Sequence, residues 1–78
     1  MTCIRLSSLM PGEYGYILSL PCDRFRRKRL MDLGLTEGTC VKCVHVSPLG
    51  DPVAYRIRGC VIALRRSEAG SIKVRIKK

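Results

Sequence analysis

Seventy-eight residues, with 15 Lys and Arg against 6 Asp and Glu, make one small domain over 1–78 with a net charge of +9. A chain of this mass buries only about 63% of its extended surface. That leaves little interior for a deep active site and makes a partner or a second copy a source of stability. The charge selects nucleic acid, an anionic membrane surface or an acidic protein face as the partner.

The start, Met1-Thr2-Cys3-Ile4-Arg5, has no apolar h-region, and no apolar run nears the ~20 residues a spanning helix needs. The protein is therefore expected to be cytoplasmic, with no membrane insertion. Ile4 and Leu6 alternate with Cys3, Arg5 and Ser7, which predicts a short first strand or arm. Pro11-Gly12 has the order of a type II turn. A strand follows over 15–20, with Tyr16, Leu18 and Leu20 on one face and Ile17 and Ser19 on the other.

Pro21 ends that strand, and Asp23 is the expected N-cap of a helix over 24–33. Its apolar stripe is narrow, so the helix should lie on the surface and insert Leu30 and Leu33 over an open end of a sheet. Gly34 supplies the left-handed stop, with Leu35 folding back towards Leu30. Glu37-Gly38 suits a second type II turn. The run 40–46 is too rich in β-branched residues for a helix and reads as a strand, bounded by the turn Pro48-Leu49-Gly50-Asp51-Pro52.

Val53, Tyr55 and Ile57 then alternate with Ala54, Arg56 and Arg58, and Gly59 permits a reversal into a strand over 60–65 that is apolar on both faces. The segment 66–70 has room for one helical turn. Ile72, Val74 and Ile76 alternate with Lys73, Arg75 and Lys77, a half-buried strand with a cationic outer face. Five or six short strands with one inserted basic helix predict a mainly β fold, a small closed or nearly closed barrel.

The side chains that could carry chemistry are few. Cys40 and Cys43 have chelate-like spacing, yet on a strand Cys40 points one way while Cys43 and His45 point the other. Five cysteines without a secretion signal are expected to be reduced thiols, Cys43 and its neighbours filling space as small apolar residues. One His among scattered acids does not make the His and carboxylate cluster that ferrous iron wants, so no metal site and no cofactor is expected. No catalytic constellation is visible, and an enzyme is not expected.

Arg24, Arg26, Arg27, Lys28 and Arg29 put five cations into six positions with only Asp23 and Asp32 nearby. That is more than solubility requires and reads as a binding surface, with Arg29 lying along apolar surface and its charge available to a carboxylate. Leu49 is the second candidate, an apolar knob on a stiff loop suited to docking into another protein's groove. Single-strand nucleic-acid binders present several stacking aromatics. Here there are Tyr14, Tyr16, Phe25 and Tyr55, two of which are expected in the core.

Arg29-Leu30, Leu33-Gly34-Leu35, Gly38, the 48–52 turn, Leu64-Arg65-Arg66 and Glu68-Ala69 together resemble the FeoA family, small cytosolic proteins of bacterial ferrous-iron uptake. Glu37 stands where that family often has Pro before the turn glycine. The resemblance implies an SH3-like barrel and a non-enzymatic accessory role, exerted by contact with the cytoplasmic part of a FeoB-type, GTPase-containing iron transporter. Two other readings remain open. One is a basic barrel that binds nucleic acid, and the other is a stand-alone relative of the barrel domain that ends metal-dependent transcriptional regulators.

Overall fold

The computed structural model describes residues 3–77. Six strands, β1 (Cys3–Arg5), β2 (Tyr14–Ser19), β3 (Cys40–Val46), β4 (Val53–Ile57), β5 (Cys60–Leu64) and β6 (Lys73–Lys77), join in one sheet of order β1-β6-β2-β3-β4-β5. All the pairings are antiparallel. Two helices interrupt them, α1 (Arg24–Asp32) and the single-turn α2 (Arg66–Ala69).

Strand alternation decides which side chains go inside. Ile17, Val41, Cys43, Val53, Tyr55, Ile57, Leu64 and Val74 come from five different strands yet form one buried cluster, so the sheet curls around them. Tyr55 spans the interior and its hydroxyl donates to the Leu6 carbonyl at 3.3 Å. It is the single fully buried aromatic: Tyr16 is half-buried, while Tyr14 and Phe25 are exposed, so the core takes one aromatic where two were expected. At Gly15 a Cβ would come within 3.2 Å of the Arg75 carbonyl oxygen and a Val74 methyl. Any larger residue there would have to push β6 back by a few tenths of an ångström.

The first strand is shorter than its alternation suggests. It stops at Arg5, and Leu6–Ser8 forms a 3₁₀ turn in which the Leu6 N–H donates to Ile72 and Leu9 donates back to Leu6. Leu6 is thereby buried with Leu9 and Ala69 rather than lying along β6.

The ends of α1 follow their local chemistry. Asp23 accepts from the Phe25 N–H at 2.9 Å as N-cap. At the other end Leu35 N–H donates to Leu30 and Gly34 N–H to Met31, with Gly34 at φ +99°, the hydrogen-bond pair of a Schellman motif. Leu30 and Leu35 are both buried. Leu33, expected beside Leu30 in the core, is exposed instead, because as the last residue before the stop it turns away from the barrel while the folded-back Leu35 takes its place. The following turn is the expected one, with Gly38 at φ +85° and Thr39 N–H donating to Thr36 at 3.1 Å.

Candidate protein-interaction surface

On α1, Arg24, Arg26, Arg27, Lys28 and Arg29 are all exposed, and the first turn holds no acid. Arg24, Arg26 and Arg27 near the helix N-terminus oppose the macrodipole and repel one another, so their charge does not serve the helix, whereas Arg29 in the last turn suits it. What holds α1 is the Asp23 cap, the Schellman stop and the burial of Leu30. The helix therefore displays its charge at some local cost. Phe25, in the same turn, is 90% exposed, an apolar side chain among cations. It stands at a helical position away from Leu30 and Leu33, and that spacing was its only sequence signal.

Leu49 is 95% exposed at the tip of its loop. The loop beneath it is fastened. Ser47 Oγ donates to the Pro52 carbonyl at 2.6 Å, Gly50 N–H donates to the Ser47 carbonyl at 2.7 Å, and Asp51–Pro52 is a cis peptide. Asp51 Oδ1 accepts from the Arg66 N–H at 2.9 Å, joining the loop to the first residue of α2.

The same short helix is tied to α1. Glu68 Oε2 accepts from the Arg29 guanidinium while its Oε1 accepts from the Arg65 N–H at 3.2 Å, capping α2. Thus α2 joins the cationic helix on one side to the Leu49 loop on the other. A cleft of about 450 Å³ lies between them, lined by Arg26 and Arg29 from α1, Pro52 from the loop, and Arg65 and Glu68 from α2 and its approach. Arg26 and Arg29 meet at this cleft, whereas Arg24, Arg27, Lys28 and Leu49 do not line it. The roles of Glu68, Asp51 and Arg65 depend on contacts between distant segments and had no signal in local spacing.

Elsewhere the thiols and the histidine separate. A bulge between Cys43 and His45 sets Cys43 opposite Tyr55 and His45 opposite Ala54. Cys43 is accordingly buried and His45 exposed, correcting the expectation that they share a face; the extra residue in β3 reverses the alternation. Burial, and secondarily the nearby Glu13 carboxylate, push the Cys43 thiol above its usual pKa, so it stays a protonated space-filler. Among the described residues no three His, Cys, Asp or Glu side chains are grouped to hold a metal ion. Nor is any helix among them long and apolar enough to cross a membrane.

Comparison with known proteins agrees with this architecture. The family model described as the FeoA domain matches residues 4–76. A curated Porphyromonas gingivalis protein, an Fe(2+) transport protein A/Fe(2+) transporter FeoB fusion, is 36% identical over 73 residues, covering 94% of this chain and 9% of the fusion. The chain thus spans about a tenth of that relative's length. The solution structure of FeoA from Chlorobium tepidum superposes with a TM-score of 0.89 at 37% identity over 96% of this chain and 71% of that one. The Stenotrophomonas maltophilia FeoA structure, determined with zinc and described as a prokaryotic SH3 domain protein, superposes with a TM-score of 0.77 at 27% identity over 95% of this chain and 89% of that one. The fold is mainly β and SH3-like, and the chain belongs to the FeoA family.

Proposed function

We propose that this chain is a non-enzymatic accessory protein of ferrous-iron transport, working in the cytoplasm by contact with the cytoplasmic part of a FeoB-type transporter. The observation that carries the reading is the relative in which an FeoA-like segment and a FeoB transporter are one polypeptide. Covalent fusion keeps two parts at high effective concentration, an arrangement useful to parts that act on one another. The surface supports it: a cationic helix with exposed Phe25, and exposed Leu49 on a fastened loop, offer charge for steering and apolar side chains for docking. Arg24, Arg26, Arg27, Lys28 and Leu49 form the contact, with Arg29 shared between it and Glu68.

What favours a protein partner over nucleic acid is the state of the aromatics. Tyr14 and Tyr16 each carry a lysine over the ring, Lys42 at 5.2 Å and Lys77 at 5.7 Å, and Tyr55 is buried, which leaves Phe25 as the aromatic free to stack.

The test is capture from detergent-solubilised membranes of the source cell on the immobilised chain. The reading expects the FeoB-type transporter among the proteins retained, and its loss when Arg24, Arg26, Arg27 and Lys28 are all changed to Glu. Retention of RNA with no transporter would replace this reading by the nucleic-acid one.

A further inference from the structure

The cleft beside α2 joins three features, of which only Arg26 belongs to the contact described above. Two exposed guanidinium groups in its wall have no protein acceptor among the described residues. They are those of Arg26 and Arg65, whereas Arg29 is held by Glu68. Leu30, Pro52 and Ala63 give its lining an apolar part. Its third feature is the end of the sheet, because β5 is an edge strand.

The register shows which backbone groups that edge presents. Arg58 and Gly59 both have positive φ, forming a two-residue turn that makes Ile57 and Cys60 a hydrogen-bonded pair. Antiparallel alternation then makes Tyr55 with Ile62 and Val53 with Leu64 the next bonded pairs. The N–H and C=O of Val61 and Ala63 consequently point away from β4. They lie open on the side of the strand that leads to Arg65.

Guanidinium groups without a protein acceptor, an apolar part of the lining and a free strand edge fit an extended chain with carboxylates on every second residue. We propose that the cleft is a docking site for an acidic, extended segment of a partner protein, which adds to β5 as a seventh strand and places carboxylates on Arg26 and Arg65. The aliphatic stems of those acidic side chains lie over Ala63 and Leu30, while the residues between them face the other side of the added strand.

Charge argues against a second copy as the occupant. A copy brings +9 towards +9, and four of its six acids are engaged locally: Glu13 on the Met10 N–H, Asp23 and Asp51 on the N–H groups of Phe25 and Arg66, and Glu68 as described. Nucleic acid is disfavoured because no aromatic side chain lines the cleft. The inference rests on the reading that the chain acts by contact with another protein, and it specifies the chemistry of one part of that contact.

The probe is an acetylated, amidated peptide of Glu alternating with Val, titrated into the full chain at ~150 mM salt and followed by calorimetry and by backbone amide shifts. Controls are a peptide of the same composition with its Glu and Val residues in separate blocks, and a thymidine oligonucleotide. The alternating peptide should bind, with the largest shifts at Val61, Ala63 and Arg65. Arg26→Glu and Arg65→Glu should each weaken it about tenfold or more, as loss of a charge-assisted pair does. Ala63→Pro removes an outward N–H without touching the β4 ladder and should weaken it as well; circular dichroism confirms that each variant is folded.

No binding of the alternating peptide, equal binding of the block peptide, or tighter binding of the oligonucleotide at the same amides would each overturn the proposal. If the peptide fails while the transporter's cytoplasmic domain still binds this chain, the docking inference falls and the broader reading stands.

Discussion

Arg29 on the cationic helix and Glu68 on α2, 39 residues apart in sequence, are joined by an ion pair in which the same carboxylate also caps α2. The two functions of Glu68 can be separated. Glu68→Gln keeps a side-chain oxygen for the Arg65 N–H and removes the charge opposite Arg29, whereas Glu68→Ala removes both. Because the Arg29 side chain is 64% exposed, its pair is worth at most about 1 kcal/mol after solvent screening. Loss of the cap adds a further ~0.5–2 kcal/mol. Urea unfolding should therefore rank the chains parent, then Gln, then Ala, and salt should narrow the first gap and leave the second. Equal stability of all three would show that Glu68 holds neither element.

Leu30 and Leu33 make the internal comparison for the anchoring of α1. Leu30 is buried and Leu33 exposed. Leu30→Ala should cost ~2–5 kcal/mol, and Leu33→Ala about 0.5 kcal/mol or less. Thermal melts of both variants check this, and similar losses at the two positions would place Leu33 in the core after all.

How much of this could be read beforehand follows from where the controlling interactions lie along the chain. The Asp23 cap, the Leu30-Gly34-Leu35 stop and the Glu37-Gly38 turn are closed by hydrogen bonds within a few residues, so residue type and order suffice to place them. The alternation over 53–57 is equally local, and it puts Val53, Tyr55 and Ile57 inside. Leu33 and His45 lie off their expected faces, and Leu6 lies beyond the end of the first strand, because each depends on a departure from periodicity. A helix stop turns Leu33 outward, a bulge reverses His45, and a 3₁₀ turn redirects Leu6. The cleft was beyond reach, since Arg26, Pro52, Arg65 and Glu68 meet only when three separate segments fold together. The exposure of Leu49 needed only its Pro-flanked loop.

Tyr55 sets an alkaline limit. Burial, reinforced by the neighbouring Cys43 and partly offset by Arg66, pushes its pKa from 10.0 to about 12. The folded state thus retains a proton that the unfolded chain gives up. This contribution to stability is complete below pH ~10 and is lost as pH rises towards ~12, on the order of 2–3 kcal/mol across that window. Cys43, also raised, acts in the same direction from a lower starting point. Tyr55→Phe should flatten the loss between pH 10 and 12, at a cost of ~0.5–1.5 kcal/mol near neutrality from the missing bond to Leu6. An unchanged alkaline profile in that variant would assign the transition to other groups.

Ferrous iron itself offers a separate check. With His45 exposed and apart from Cys43, and with no metal-holding group among the described residues, the reduced, chelator-washed chain should stay folded and bind ferrous iron no better than a generic thiol protein. Stoichiometric binding at micromolar affinity that disappears in His45→Ala would make the chain an iron carrier.

The central claim, that this chain works through a charged and an apolar contact with a FeoB-type transporter, is tested most directly by surface-plasmon kinetics on the transporter's cytoplasmic domain. Charge reversal at Arg24, Arg26, Arg27 and Lys28 should slow association and reduce its salt dependence, since steering acts before docking. Leu49→Ala should leave association nearly unchanged and speed dissociation, because burial of an apolar side chain, worth ~1.5–3 kcal/mol, must be undone for the complex to part. If both variants remain folded and bind with the parent's rates, the contact does not involve α1 or the Leu49 loop, and the account given for this surface is wrong.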